Sequence, residues 1–303
     1  YNAVKLWNEI HPSIKNLCMR NVYLLLFFFS SFLHAQDDLL EQLEAESPRD
    51  TSYVSSVFKG VKIVNFESTK LIGKEQLYFV IAHRFGTIKN GVDDLFGLDQ
   101  ASTRIQFIYG VNDWLNIGFS RSKFQKTYDL SAKYRLVRQR EESSPVTIVG
   151  YNLFTVNTNL DKDILPLLEF NDRIGYTTQL LISRKFSERF SLQLAPTYFH
   201  DNYVPIDEQD NSQIALGVGG RLKLTKRFSL NVDYGYHLNR SSKSPFNNPL
   251  SIGIDIETGG HVFQLHFTNA QAAFENGFLG QARGDWSDGD IFFGFNLSRT
   301  FNF

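Results

Sequence analysis

Phe228-Ser-Leu-Asn-Val-Asp-Tyr-Gly-Tyr-His-Leu238 decides the fold. Phe228, Leu230, Val232, Tyr234, Tyr236 and Leu238 share one face, and Ser229, Asn231, Asp233, Gly235 and His237 share the other. A period of two over eleven residues is a β-strand with one apolar and one polar side. The stretch before it repeats the pattern: Ile214, Leu216, Val218, Leu222 and Leu224 oppose Gln213, Ala215, Gly217, Gly219, Arg221 and Lys223. In 128–136, Tyr128, Leu130, Ala132, Tyr134 and Leu136 oppose Asp129, Ser131, Lys133 and Arg135.

Outward from these, the alternation predicts twelve strands, to within two: 77–84, 102–110, 114–122, 127–138, 146–157, 173–184, 190–199, 213–224, 228–238, 251–258, 260–269 and 290–303. Most have the ~9–11 residues that a tilted strand needs to cross a bilayer, against about 5–6 for an ordinary globular strand. Both faces of 77–84 and 146–157 carry apolar residues, so neither strand shows which side is which. The links alternate in length. Those after the even strands are short, and those after strands one, five, seven, nine and eleven are long (85–101, 158–172, 200–212, 239–250, 270–289). Only 123–126 breaks the rule. Short turns at one end, long loops at the other and an even strand count describe an up-and-down antiparallel transmembrane barrel. A soluble sandwich or lipocalin-like barrel also alternates, but its apolar face points inward and its loops need not segregate by length.

A hairpin-scale repeat supports the register. Ser187-Glu-Arg-Phe-Ser-Leu192 recurs as Thr225-Lys-Arg-Phe-Ser-Leu230, and Trp114 opens a strand in the same way. Trp114, Phe190, Phe228, Trp286 and the terminal Phe303 are therefore the expected interface aromatics. A last strand ending in phenylalanine resembles the insertion signal of bacterial outer-membrane barrels, which makes the barrel-assembly machinery and outer-membrane lipid the expected partners.

The N-terminus reads differently. Arg20, the apolar run 22–33 and Leu33-His34-Ala35 form a secretory signal peptide over 19–35, with cleavage after Ala35. Residues 1–18 then read as a non-native extension or the result of a misassigned start, and the exported chain as an outer-membrane protein of a Gram-negative bacterium. Residues 36–76 are expected as a periplasmic segment ahead of a barrel at 77–303. Its start, 37–46, is acidic, either a solvated tail or one short amphipathic helix. The more apolar 57–72 either packs under the barrel, enters its periplasmic mouth or adds an edge strand.

The 303 residues hold 31 Lys+Arg against 32 Asp+Glu, which speaks against a nucleic-acid binder working through bulk charge. No run of 18 apolar residues exists, so a multi-span helical membrane protein is excluded. The one cysteine, Cys18, precedes the apolar run, which leaves neither a disulfide framework nor a thiol nucleophile afterwards.

Several stretches resemble a bacterial family of outer-membrane β-barrels carrying a domain of unknown function. They are Ile81-Ala-His-Arg-Phe-Gly86, Asp94-Leu-Phe-Gly-Leu-Asp-Gln-Ala-Ser102, Leu115-Asn-Ile-Gly118, Lys126-Thr-Tyr-Asp129, Gly260-His-Val-Phe-Gln-Leu265 with Thr268-Asn269, and Gly289-Asp-Ile-Phe-Phe-Gly294. The resemblance implies a membrane barrel and brings no catalytic residues.

The expected lumen carries mixed charge: Arg104, Asp129, Lys133, Arg135, Arg221, Asp233, Asp255 and His266 are the candidates. Inward glycines (Gly118, Gly217, Gly219, Gly235, Gly253, Gly294) leave room for a narrow path or for a plug, and the charges either line a path or pair with one another. The leading reading is a narrow channel or small-solute binding barrel. The second is a closed docking barrel whose 36–76 segment binds a periplasmic protein. The third, a lipid-modifying enzyme, lacks a visible constellation: no His-x-Ser pair occurs, and the strand serines fall mostly on the polar face. His83, His200, His237, His261 and His266 show no chelating i, i+2 spacing, so neither metal nor cofactor is expected. Loop 270–289 opens helix-compatible at Ala270–Glu275 and folds over or into the outer mouth. Its Asp285, Asp288 and Asp290 read either as a polar loop or as a Ca²⁺ site without the full spacing.

Overall fold

The computed structural model describes residues 54, 57–140, 143–206, 208–258 and 261–303. The expected extension, signal peptide and acidic stretch lie outside the described residues. Twelve antiparallel strands close into one barrel: β1 (Gln76–Thr87), β2 (Ala101–Asn112), β3 (Leu115–Ser122), β4 (Thr127–Val137), β5 (Thr147–Asn157), β6 (Ile174–Lys185), β7 (Phe190–Asp201), β8 (Ser212–Lys223), β9 (Phe228–His237), β10 (Leu250–Thr258), β11 (His261–Thr268) and β12 (Phe292–Asn302). Each strand pairs with its sequence neighbours, and β1 meets β12 from Gln76↔Asn302 to Arg84↔Gly294, so no edge is left unpaired. The closing strands differ in extent from the sequence reading. β1 runs on to Thr87, and β12 starts only at Phe292, because Asp290 is held in the loop by main-chain pairing with Asp285.

The sense of the alternation settles what surrounds the barrel. In β9, Val232, Tyr234 and Tyr236 are exposed outside, while Ser229, Asn231, Asp233 and His237 are buried inside. Ile105, Phe107, Ile117, Leu130, Leu194, Leu216 and Ile254 repeat the exposed apolar exterior around the circumference. An apolar wall facing out and a polar one facing in suit hydrocarbon, not water. No helix among the described residues is long and apolar enough to cross a membrane; the crossing is made by strands. Trp114, Phe186 and Phe190 are exposed at the turn end, and Tyr128, Tyr176, Tyr198 and Tyr236 at the loop end, as two aromatic bands. Phe303 is largely exposed and Phe228 half-buried at the turn end. Trp286 is tied to the loop-end rim, its Nε1 donating to the Leu250 carbonyl at 2.9 Å.

β5 and β1 break the inward-polar rule. Val149, Tyr151 and Leu153 of β5 join a buried cluster with Phe66 and Leu71, and Tyr78 and Val80 of β1 join one with Val61 and Ile72. Those partners precede the barrel in sequence, which leads to what fills the lumen.

Candidate functional site

Two inserts occupy the lumen. The first is the segment 57–72, for which the sequence leaves open a place under the barrel, in its mouth or at a strand edge, and which lies inside the barrel. Val57, Phe58, Val61, Ile63, Val64, Phe66, Leu71 and Ile72 are all buried. The segment doubles back on itself, with Ile63 N donating to Phe66 O at 2.8 Å and Ser68 N to Val61 O at 2.8 Å. A buried turn must satisfy its backbone polar groups, and here the wall does so. Asp233 Oδ2 accepts from the main-chain nitrogens of Val64, Asn65 and Phe66 at 2.9, 2.7 and 3.1 Å. Gln264 Nε2 donates to Ile63 O at 2.5 Å, and Gln193 Nε2 to Glu67 O at 2.7 Å. Asn116 brackets Ile72 through both its main-chain N–H and its carbonyl. At the tip, Asn65 Nδ2 donates to Ser251 and Thr268, and its Oδ1 accepts from Arg84 Nη2 at 2.9 Å. The inward glycines make the space. A Cβ on Gly217 would stand 2.3 Å from the Phe66 ring, and one on Gly219 2.3 Å from Ile63 Cδ1.

The second insert is loop 269–291, which folds in from the loop end. Ala270, Ala272, Phe274, Glu275, Phe278 and Leu279 are buried, and the short helix α1 (Glu275–Gly280) meets the plug where Phe66 and Phe278 pack edge to face at 4.9 Å. The wall holds this insert too. Arg104 Nη1 donates to the Ala273 carbonyl at 2.8 Å, while its Nη2 pairs with Asp129 Oδ1 at 2.9 Å. Thr177 Oγ1 donates to Asn276 Oδ1.

A buried ionic latch joins plug, loop and wall. Glu67 of the plug splits its carboxylate between Lys62 Nζ at 2.8 Å and Lys133 Nζ of β4. Lys62 also reaches Glu275 of the loop at 3.5 Å, and Lys133 donates to the Val61 and Ser68 carbonyls at 3.2 Å each. Burial alone raises the Glu67 carboxyl, but the two ammonium groups outweigh it and hold it down to about 2. Glu275 goes the other way: burial, reinforced by Glu67, raises it above the ordinary carboxylate value against the pull of Lys62 and Arg104. Around this centre Lys62, Arg84, Arg104 and Lys133 face Glu67, Asp129, Asp233 and Glu275, so buried groups of both signs stand together.

The lumen candidates of the sequence fall into three groups. Arg104, Lys133 and Asp233 hold the inserts, and Asp129 holds Arg104. Arg221 and Asp255 line the wall, Arg221 Nε donating to Ser229 Oγ at 3.0 Å and Asp255 Oδ1 accepting from Gln264 Nε2 at 2.6 Å; His266 is buried with its Nε2 against Gly294. Arg135 departs from the expectation of a lumen site. It lies at the turn-end rim, where the sheet gives out, and its Nη1 donates to the Asp113 carbonyl at 3.0 Å. Lys62, Glu67, Arg84 and Asn65 were not singled out; the only signal was Lys62 and Glu67 standing five apart in an apolar stretch, the spacing of a turn whose ends meet. Asp285, Asp288 and Asp290 do not converge. Asp285 caps Ser287, Asp288 pairs with Lys89, and no group of three potential metal ligands occurs among the described residues.

Beyond the inserts, the loop end keeps a recess of about 200 Å³ walled by Gln125, Thr155, Asn157, Arg173, Asn276 and Gln281. Its floor is Phe274 of the inserted loop, so the recess stops where the buried cluster begins.

Residues 58–301 match the family described as membrane bound beta barrel domain (DUF5777). The chain belongs to that family. A comparison with curated protein sequences finds no match. Among solved structures, this DUF5777 barrel is similar to the NanC porin, with 9% identity over 75% of this chain and 100% of that one and a TM-score of 0.48. It is similar to the KdgM porin, with 7% identity over 74% and 99% and a TM-score of 0.43. It is also similar to an outer membrane channel from Pseudomonas putida F1, with 15% identity over 77% and 97% and a TM-score of 0.43.

Proposed function

We propose that this protein is a gated outer-membrane channel for a small polar solute, and that the structure describes its closed state. One observation carries the reading: a mostly polar lumen wall is filled by two inserts, 57–72 and 269–291, that are not part of the wall. Eight strands suffice for a barrel filled by its own side chains, whereas twelve enclose space that the wall cannot fill. Here that space is taken by a plug and a loop anchored through hydrogen bonds and ion pairs, which water can replace, and through apolar contacts with β1 and β5. Outer-membrane barrels keep short turns on the periplasmic side and long loops outside, which supports an outward-facing recess. The docking-barrel alternative finds less support, since Val57 to Phe66, the surface it would offer a periplasmic protein, is buried in the lumen.

The test is ion conductance of the purified full chain in planar bilayers, beside variants lacking 57–72, 270–289 or both. The full chain is expected to stay mostly silent and the double deletion to conduct in steady unitary steps. A double deletion that keeps the heat-dependent gel shift of a folded barrel yet carries no current overturns the proposal.

A further inference from the structure

We propose a second site on the lipid-facing outside of the barrel: Ser212, His200 and Asn202 form a nucleophile, base and orienting amide that hydrolyse an acyl ester of a membrane lipid. His200 near the end of β7 and Ser212 at the start of β8 are direct partners in the ladder. Phe199 and Gln213 are buried in the lumen while Tyr198 and Ile214 are exposed outside, so strand alternation puts both His200 and Ser212 on the exterior. Their side chains meet, His200 Nδ1 lying 2.9 Å from Ser212 Oγ. The other ring nitrogen, Nε2, lies 2.9 Å from Asn202 Oδ1.

The protonation pattern follows from the partners. Asn202 Nδ2 donates to the Asn171 carbonyl at 2.7 Å, and a carbonyl only accepts, so the amide is oriented with Oδ1 toward the imidazole. Oδ1 also only accepts, hence His200 carries its proton on Nε2. Nδ1 is left as a free base facing the serine hydroxyl. This is the arrangement a nucleophilic serine requires: a base within hydrogen-bond reach, held in one tautomer by a third group. The imidazole is further fixed by stacking on Tyr176 at 5.0 Å and 15°. Tyr198 Oη lies 3.0 Å from Ser212 Oγ, and with Ser212 donating to His200 Nδ1 it is left to donate to Ser212 Oγ.

The location names the substrate. Tyr176 and Tyr198 belong to the loop-end aromatic band, the depth at which head groups give way to acyl chains and where lipid esters lie. Exposed Ile214, Leu194 and Leu216 continue from the site toward the bilayer centre as a surface for the chains. In the reaction Ser212 Oγ bonds to the ester carbonyl carbon as its proton passes to His200 Nδ1. The carbon–oxygen bond to the glycerol side then breaks, and the leaving oxygen takes that proton. Water, deprotonated by His200, cleaves the acyl-serine, giving a fatty acid and restoring the hydroxyl. Sequence inspection for a local His-x-Ser pair could not find this site, because the two residues are brought together across strands.

The experiment uses the full chain with phosphatidylethanolamine–phosphatidylglycerol vesicles, measuring fatty-acid release, together with an alkyl fluorophosphonate whose attachment point is found by mass spectrometry. Release and a label on Ser212 are expected. Ser212→Ala abolishes both, and His200→Gln lowers release roughly 10²–10⁴-fold, the usual range for a general base. Asn202→Asp retains turnover and moves the acidic limb of the pH profile to higher pH, because a carboxylate stabilises the imidazolium; a purely structural role for Asn202 would leave that limb in place. These variants sit outside the lumen and leave the gel shift and conductance unchanged, so this proposal and the channel reading fail separately. Release that survives Ser212→Ala, or a folded barrel giving neither release nor a Ser212 label, overturns it.

Discussion

Removing the Glu67 carboxylate is the sharpest perturbation of the closed state. Glu67 is buried, and each of its oxygens serves a different lysine, one on the plug itself and one on the barrel wall. Glu67→Ala leaves two buried ammonium groups without their main partner, and breaking a buried ion pair costs about 3–5 kcal/mol. Lys62 keeps Glu275 at 3.5 Å and Lys133 keeps two main-chain carbonyls at 3.2 Å, so the lower end of the range, about 3 kcal/mol, applies. Withdrawal of the plug hydrates both lysines and relieves that cost, so it acts on the closed-to-open equilibrium. At ~1.4 kcal/mol per tenfold, open probability in a planar bilayer rises by roughly two decades. Because Lys133 and Lys62 hold the Glu67 carboxyl near 2, its contribution is present above the ordinary value of 4.5 and is lost only as pH falls toward 2. The Glu67 carboxylate itself therefore adds no pH dependence between pH 5 and 8. Replacing Glu67 together with both its lysines, Lys62→Met with Glu67→Leu and Lys133→Met, removes the two unpaired ammonium groups and returns the channel toward silence, since apolar substitutes for buried ions are often neutral or stabilising. A Glu67→Ala protein as silent as wild type, beside a double deletion that conducts, would refute the latch.

Two further predictions follow from the other contacts. Burial raises the Glu275 carboxyl, so its contribution to loop docking is complete below 4.5 and is lost as pH rises through the raised value; open probability should climb from pH 4 to pH 8 in wild type and stay flat in Glu275→Gln. Parallel profiles would disprove it. Gly217→Val forces a side chain into the Phe66 ring; overpacking at about 1–3 kcal/mol should loosen the plug and expose Lys62 to trypsin without loss of the barrel's gel shift, and wild-type resistance would count against the plug's placement.

The barrel was legible because an apolar face recurs at every second position in most of the strands, while strand length and loop parity pointed to the sense that alternation alone leaves open. Legibility failed where the lumen is dry. Strands 77–84 and 146–157 showed two apolar faces because Tyr78 and Val80 cover Val61 and Ile72, while Val149, Tyr151 and Leu153 cover Phe66 and Leu71. Their ambiguity was itself the mark of a plug: an inward apolar face in a membrane barrel needs an apolar partner, and 57–72 was the apolar stretch without one. Its anchors, Lys133 and Asp233, lie 65 and 168 residues further along, and that distance hid the plug's attachment to the wall. Ser212 and His200 carry the same lesson about register. A shift of β7 against β8 by one residue would turn His200 into the lumen and Phe199 out, so the exterior pair exists only in the pairing that also puts Tyr198 and Ile214 in lipid. Chemistry that spans two strands is thus encoded jointly with the hydrophobic pattern that sets their register.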